Sequence, residues 1–375
     1  MDTITLIRSA IRGLLKVADR PLRDLLASVM TSGDDYMSSA KPQLDWDDQE
    51  ARTKLIDSRA KDAHACLMAL EGQKLCEVVS EAARLLGTVV GQDLEQDGDG
   101  VFRIVRKVAK DRVISVVDPE ARHGHKTSSH SFDGYKGHIA LDPESEIITK
   151  TVVTAGNAGD ASVAEELIED LLTSNEDQAH RGPTAQQGCV YGDGAYGTGQ
   201  FQARLRTAHI DSKCKTQPPS AKQGLFTKDS FTINLEAGTV RCPNKIEAKI
   251  HYLGGGDGVA KFDPHCQSCS LAQRCTTSKI GRKIRIGAHE AALTKARTEQ
   301  MDATWKDDYR ATRPKVERKF AHLMRRKHGG RRARMRGLLR VGNDFSLLAG
   351  AANLARLAKL NVQSIPHGGW EVAPA

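Results

Sequence analysis

The sequence predicts an α/β protein: a mixed sheet flanked by helices, preceded by an N-terminal helical region and interrupted by a cysteine-containing insertion. Three observations carry this. Apolar residues recur every three to four positions up to about residue 94. Beyond residue 105 short β-branched runs bounded by turn residues take over. Their order there, strand, strand, strand, helix, strand, helix, suits an antiparallel hairpin extended by a parallel strand across a helix.

Taken in order, helical periodicity marks Leu6–Val17, Leu22–Met30, Arg52–Leu70 and Leu75–Val90, with a polar stretch, Thr31–Asp45, between the second and third. The first is amphipathic, with Ile4, Ile7, Ile11, Leu14 and Leu15 on one face and Arg8, Arg12 and Lys16 between them. It lacks the unbroken apolar run of a secretory signal. Gln92–Gly100 is acidic and glycine-rich and reads as a linker, so a domain boundary is expected near residue 100. Arg112–Val117 reads as a buried strand. Tyr135–Leu141 and Ile147–Thr154 read as strands flanking a turn at Asp142–Ser145. Ala161–Leu172 reads as a helix capped by Asp160, and Gly188–Tyr191 as a strand after a further polar loop. The expected regions are residues 1–100 (helical), 105–200 (first part of the α/β domain), 201–286 (insertion), 287–360 (last part, with a basic helix) and a tail at 361–375.

The longest uncharged apolar stretches fall far short of a bilayer span, which excludes a membrane-spanning helix. The net charge of +8 is mild until it is located. Lys306–Arg340 carries fourteen Lys or Arg against three acids, +11, and leaves the rest of the chain at −3. A near-neutral body with one strongly basic segment points to a polyanionic partner, nucleic acid being the commonest; a solvated helical face is the competing reading.

Eight cysteines are too sparse for a disulfide scaffold, and without a secretory signal a reducing, cytoplasmic setting is expected. Cys266 and Cys269 form a C-x2-C pair, and Cys242 and Cys275 could complete a tetrahedron around a structural Zn2+, with His265 as a spare ligand. Reduced, half-buried thiols without metal are the equally weighted alternative. Cys66, Cys76, Cys189 and Cys214 stand singly and read as packing residues.

Two acids stand where a strand has just ended, Asp118 after Val113–Val117 and Asp193 after Cys189–Gly192. On neighbouring strands such acids can share a divalent cation through hard oxygen ligands, and two cations so held suit in-line displacement at phosphorus. Each is also ordinary turn chemistry, before Pro119 and before Gly194. A third acid, Glu317, lies in the basic segment, in a helix expected to start with Pro314 at its first position. It is either a further metal ligand or an intrahelical ion-pair partner.

These residues together with Phe132–His138, Gly192–Gly197 and the Arg313-Pro314-x-Val316-Glu317-Arg318-x-Phe320 pattern resemble the DDE transposases of bacterial insertion sequences, in the subgroup with a long insert before the last carboxylate. The resemblance spans about residues 105–360. It implies a ribonuclease-H-like catalytic fold and two Mg2+ ions, with Mn2+ as a substitute, held by Asp118, Asp193 and Glu317. It also implies cleavage and strand transfer at element ends, and a homodimer or higher assembly on DNA. Arg313 matches an arginine four residues before the glutamate. Relatives carry a tyrosine seven before it and a lysine seven after, where this chain has Tyr309 one residue early and Met324 followed by Arg325. Relatives also carry a longer N-terminal end-recognition region; a truncated copy and a misassigned start codon both account for the difference.

Expected DNA contacts are therefore Arg313, Arg325, Arg326 and Tyr309, joined by Arg122 in the loop after Asp118 and by Lys136 on a strand with one core face. Asp133 is the substitute ligand for Asp118, while Asp142 and Asp160 read as turn and cap residues. The rival readings are a non-catalytic DNA-binding protein from a decayed element and a metal-dependent nuclease without strand transfer.

Overall fold

The computed structural model describes the chain except for residues 1, 39, 41, 43, 106–107, 128, 179–187, 223, 366–368 and 373–375. Most of the polar loop expected before Gly188, and parts of the expected tail, lie outside the described residues. In chain order the structure runs α1 (Thr3–Val17), α2 (Arg20–Val29), α3 (Gln49–Leu70), α4 (Glu77–Asp93), β1 (Leu94–Gln96) and β2 (Phe102–Ile104). There follow β3 (Arg122–Thr127), β4 (His130–Leu141), β5 (Ile148–Ala155), α5 (Ala164–Leu167), α6 (Glu169–Gln178), β6 (Cys189–Gly192), α7 (Gly199–Thr207) and β7 (Asp211–Cys214). Then come β8 (Thr232–Asn234), β9 (Thr239–Arg241), β10 (Glu247–Gly254), β11 (Asp257–Lys261), α8 (Ala272–Cys275) and β12 (Lys283–Ile286). The chain closes with α9 (Glu290–Glu299), α10 (Ala303–Leu323), α11 (Leu338–Lys359), β13 (Val362–Ser364) and β14 (Trp370–Val372).

The chain forms two compact units. One comprises residues 1–137, 153–158 and 324–351; the other comprises 138–152, 159–323 and 352–375. The first is built on α1–α4. Asp2, Asp19 and Asp48 cap the first three helices by accepting from backbone N–H groups of the opening turn. Leu6, Ile7, Ile11 and Leu14 of α1 are wholly buried against Leu26, Ala63, Cys66, Leu86 and Val89. Each such side chain contributes roughly 1.5–3 kcal/mol by leaving water.

Arg59 and Asp62 are among the charged residues buried in the same bundle. Arg59, 1% exposed, donates to Asp34 at 2.5 Å and to the Ile4 carbonyl at 3.1 Å. Asp62, wholly buried, accepts from Thr31 N at 2.7 Å, Ser32 N at 3.1 Å, the Ser32 hydroxyl and the Tyr36 hydroxyl at 2.7 Å. The start of the polar stretch after α2 is thereby tied to α3.

The buried strand expected at Arg112–Val117 does not form. Val113 and Ile114 are buried as its apolar run requires, but the backbone pairs with a side chain: Gln92 Nε2 donates to the Val113 carbonyl at 2.9 Å, and Val113 N donates to Gln92 Oε1 at 2.8 Å. Arg112 is held by a bidentate pair to Asp93. A primary amide offers the donor and acceptor of one peptide unit, which is enough to satisfy a short segment without a neighbouring strand. The same device recurs in the second unit, where Asn353 closes on both backbone groups of Ile148 and Gln300 on both of Thr216.

The expected hairpin is present as β4 and β5, joined at Asp142, whose carboxylate accepts from Ser145 N at 2.8 Å. Its sheet gains β3, whose charged residues had read as a loop, in the order β3-β4-β5. Among the described residues the expected parallel extension of this sheet is not found: β6 instead pairs in parallel with β7 across α7, in a two-stranded sheet. The helix expected at Ala161–Leu172 is broken into a 3-10 turn at Asp160–Val163, α5 and α6, and Asp160 is the first residue of that turn.

In the second unit one core gathers Val163, Leu167, Phe201, Leu205, Ile210 and Cys214. Another lies on the five-stranded antiparallel meander β8–β12, with Phe231, Val240, Ile250, Phe262, Ile284 and Ile286 buried. Helix α10 starts eleven residues before Pro314, capped by Asp302, so Pro314 is internal and not at the first position. Lacking an N–H, it leaves the Arg310 carbonyl without its usual helical donor. The basic helix expected within residues 287–360 is interrupted after Leu323: between α10 and α11 only Arg326–His328 forms a 3-10 turn.

Candidate functional site

Asp193 follows β6 directly, in a turn where Ala195 N donates to its carboxylate at 3.0 Å and Tyr196 N to its backbone carbonyl at 3.1 Å. The turn is fixed by contacts that only glycine permits. A Cβ at Gly197 would lie 2.1 Å from the Lys215 carbonyl, and one at Gly192 would lie 2.8 Å from Cys214 Sγ. Close approach of β7 therefore sets where the Asp193 carboxylate stands.

Helix α10 brings the third acid to the second. Arg313 Nη2 donates to Asp193 Oδ2 at 3.0 Å, and Arg313 Nη1 lies 3.6 Å from Glu317 Oε1 one turn along the same helix. Arg313 is nearly buried, 14% exposed at the side chain, whereas Asp193 and Glu317 are 49% and 65% exposed. Its Nε is buried without a hydrogen-bond partner. Two solvent-facing carboxylates thus converge on one anchored cation.

Sequence reasoning missed the support behind that cation. Tyr309, one turn before Arg313, stacks on Trp305 with ring centroids 5.1 Å apart, and Lys215 and Lys213 sit over the two rings at 5.9 Å each. Asp308 accepts from the Tyr191 hydroxyl at 2.9 Å and lies 3.6 Å from Lys213. Burial raises the Tyr309 hydroxyl pKa, and the Arg313 charge only partly offsets this. Lys213 in β7 and Lys215 just after it alternate, and the aromatics stand at i and i+4 on α10, but nothing in the sequence marks the two segments as neighbours.

In the first unit, Asp118 accepts from the Tyr135 hydroxyl and from Gly337 N at 3.1 Å, and the Glu120 carboxylate accepts from Leu338 N at 2.8 Å. Both acids therefore meet the N-terminal end of α11, where free N–H groups and the helix dipole favour negative charge. Asp118 stands in a bend and not at a strand end. Burial and the Asp118 carboxylate together push the Tyr135 hydroxyl above its usual range, so it remains a proton donor. Asp133, the substitute ligand, is paired instead with His123 at 2.7 Å.

The expected DNA contacts divide into two groups. Arg122 donates to the carbonyls of Pro119 and Ala121, and Lys136 to that of Ala158 at 2.8 Å, so both brace the backbone. Arg325 and Arg326 are exposed, as are Lys327, Arg331, Arg332 and Arg336.

Among the described residues no group of three or more His, Cys, Asp or Glu side chains is placed to hold a metal ion. The chemistry of the Asp193–Glu317 pair nonetheless suits a hard divalent cation, since both groups are exposed carboxylates with oxygens to spare beyond the Arg313 contacts.

Residues 241–358 match the family model described as a Transposase DDE domain. The matched stretch holds Arg313, Glu317 and the four clustered cysteines, and it supports a DDE-type transposase. No curated protein and no solved structure matches the chain.

Proposed function

We propose, from a segment that supports a DDE-type transposase, that the chain cleaves DNA at the ends of an insertion sequence and joins the freed ends to target DNA. Asp118, Asp193 and Glu317 serve as its metal-binding carboxylates on a ribonuclease-H-like catalytic domain. The observation that carries this reading is the convergence of Asp193 and Glu317 on Arg313, a contact made across 120 positions of sequence. Two Mg2+ ions, replaceable by Mn2+, would supply activation of the attacking oxygen and stabilisation of the leaving one.

The chain's own residues position the DNA. Arg313, held by Asp193 and Glu317, presents a planar cation to a phosphate beside those carboxylates. Arg325 and Arg326, with the exposed basic run after α10, neutralise the flanking backbone, so affinity falls steeply with salt. A homodimer or higher assembly on the DNA, working in the cytoplasm, accommodates two element ends.

The test is a cleavage and joining assay on element-end DNA with Asp193→Asn, Glu317→Gln and Asp118→Asn. Each is expected to lower cutting on the order of 1,000-fold, about 4 kcal/mol of barrier, while DNA binding persists. Unchanged cutting by Asp193→Asn overturns the site. Cutting without joining by the unaltered chain points to a nuclease, and binding without cutting to a DNA-binding protein of a decayed element.

A further inference from the structure

The β8–β12 meander encloses a feature that the DNA chemistry does not use. Cys242, Cys266, Cys269 and Cys275 line one small cavity whose other walls include Phe226, Phe231, Phe262, Leu271 and Arg282. The cavity is small, with room for about one water-sized sphere. All four thiols are free, and Cys275 lies within electrostatic range of the other three.

The backbone presents these cysteines on tight turns. Cys242 directly follows β9 and is closed into its turn by Cys242 N donating to the Ile246 carbonyl at 2.8 Å and Lys245 N to the Cys242 carbonyl at 2.9 Å. Lys245 adopts φ of 63°, the left-handed conformation such a turn needs. Cys266 and Cys269 share a second turn, continued by Ala272 N donating to the Cys269 carbonyl at 3.0 Å, and α8 then ends on Cys275. Arg282 N donates to Cys266 Sγ at 3.4 Å, and the Arg282 guanidinium is anchored on the Cys275 and Phe226 carbonyls at 3.0 and 3.2 Å. An N–H aimed at sulfur and a fixed cation beside it are what a thiolate cluster requires to offset its negative charge.

We propose that these four cysteines form a structural Zn2+ site that fastens the β9–β10 turn to the segment between β11 and β12. Four sulfurs and no open position describe a closed tetrahedral site, and soft thiolates select zinc over the hard cations suited to carboxylates. Among the described residues no three ligands are placed around an ion, so binding requires the thiols to close on it. His265 is exposed, does not line the cavity and is not a ligand. The small core around Phe231 and Phe262 gains in the metal a cross-link between segments distant in sequence.

The test is metal analysis of the whole chain purified under reducing conditions, with about one zinc per chain expected. Cys269→Ser and Cys242→Ser should lose it, while Cys76→Ser, an exposed cysteine outside the cluster, should keep it. Because a serine variant can misfold, the unaltered chain supplies a second measurement. Titrating its thiols with a mercurial should release zinc as four thiols are modified, and cobalt substitution should give the strong absorption of a tetrahedral thiolate complex. Zinc absent with all four thiols freely reactive, a disulfide among the four, or iron in place of zinc overturns the proposal.

Discussion

The acids of the helical bundle and the acids of the candidate site face opposite physical problems. Asp62 is wholly buried and takes four hydrogen bonds, two of them from backbone N–H groups. Asp193 and Glu317 are about half exposed or more and share one guanidinium. A buried carboxylate must be satisfied by its fold, whereas an exposed one is solvated whatever it touches. The bundle acids therefore serve stability, and Asp193 and Glu317 are free to serve chemistry.

The comparison breaks most visibly at Arg59. Arg59→Met should destabilise the chain by about 3–5 kcal/mol, because Asp34 loses its partner and the Ile4 carbonyl its donor. Urea unfolding measures this, and a loss below about 1 kcal/mol would show that the bundle does not depend on the pair. Asp62→Asn should cost about 1–3 kcal/mol, since an amide cannot accept all the donors aimed at the carboxylate.

Asp62 also carries a pH signature. Burial pushes its pKa up, but the hydrogen bonds from Ser32, Tyr36 and Thr31 outweigh burial and hold it below the ordinary carboxylate value. A carboxyl with a lowered folded pKa contributes its full stability above the unfolded value of about 3.9, and that contribution disappears as pH falls through the folded pKa. Unfolding followed between pH 7 and the acid limit should steepen below about pH 4, and Asp62→Asn should flatten that dependence.

A smaller effect is expected at the amide clamps. Gln92→Ala should cost about 1 kcal/mol and leave Val113 N and O without partners. The smallest stability change is expected where the functional effect is largest: Asp193→Asn and Glu317→Gln should shift unfolding by less than about 1 kcal/mol. A larger shift would place those acids with the bundle's.

Much of this was legible in the sequence. Helices α1 to α4, the β4–β5 hairpin, β6 with Asp193 at its end and the pairing of Arg313 with Glu317 follow from periodicity, turn residues and helical spacing. Residues 112–117 look like a strand because burial selects the same apolar residues whether the backbone pairs with a strand or with Gln92. Strand β3 was missed because Arg122, His123, His125 and Lys126 carry no apolar alternation. Pro314 misled because proline is commonest at helix starts, while here packing carries α10 through it. The α10 contacts of Lys213 and Lys215 depend on tertiary placement that no local pattern encodes.

Gly197 and Asp193 stand four residues apart under different physical constraints. At 197 a single methyl group would strike the Lys215 carbonyl, so folding alone excludes every other amino acid. At 193 the half-exposed side chain leaves folding nearly indifferent. A gene copy released from the need to act on DNA, yet still expressed as a folded protein, would let position 193 drift at the neutral rate while position 197 stayed glycine. A substitution at 193 beside an unchanged Gly197 would then mark such a copy.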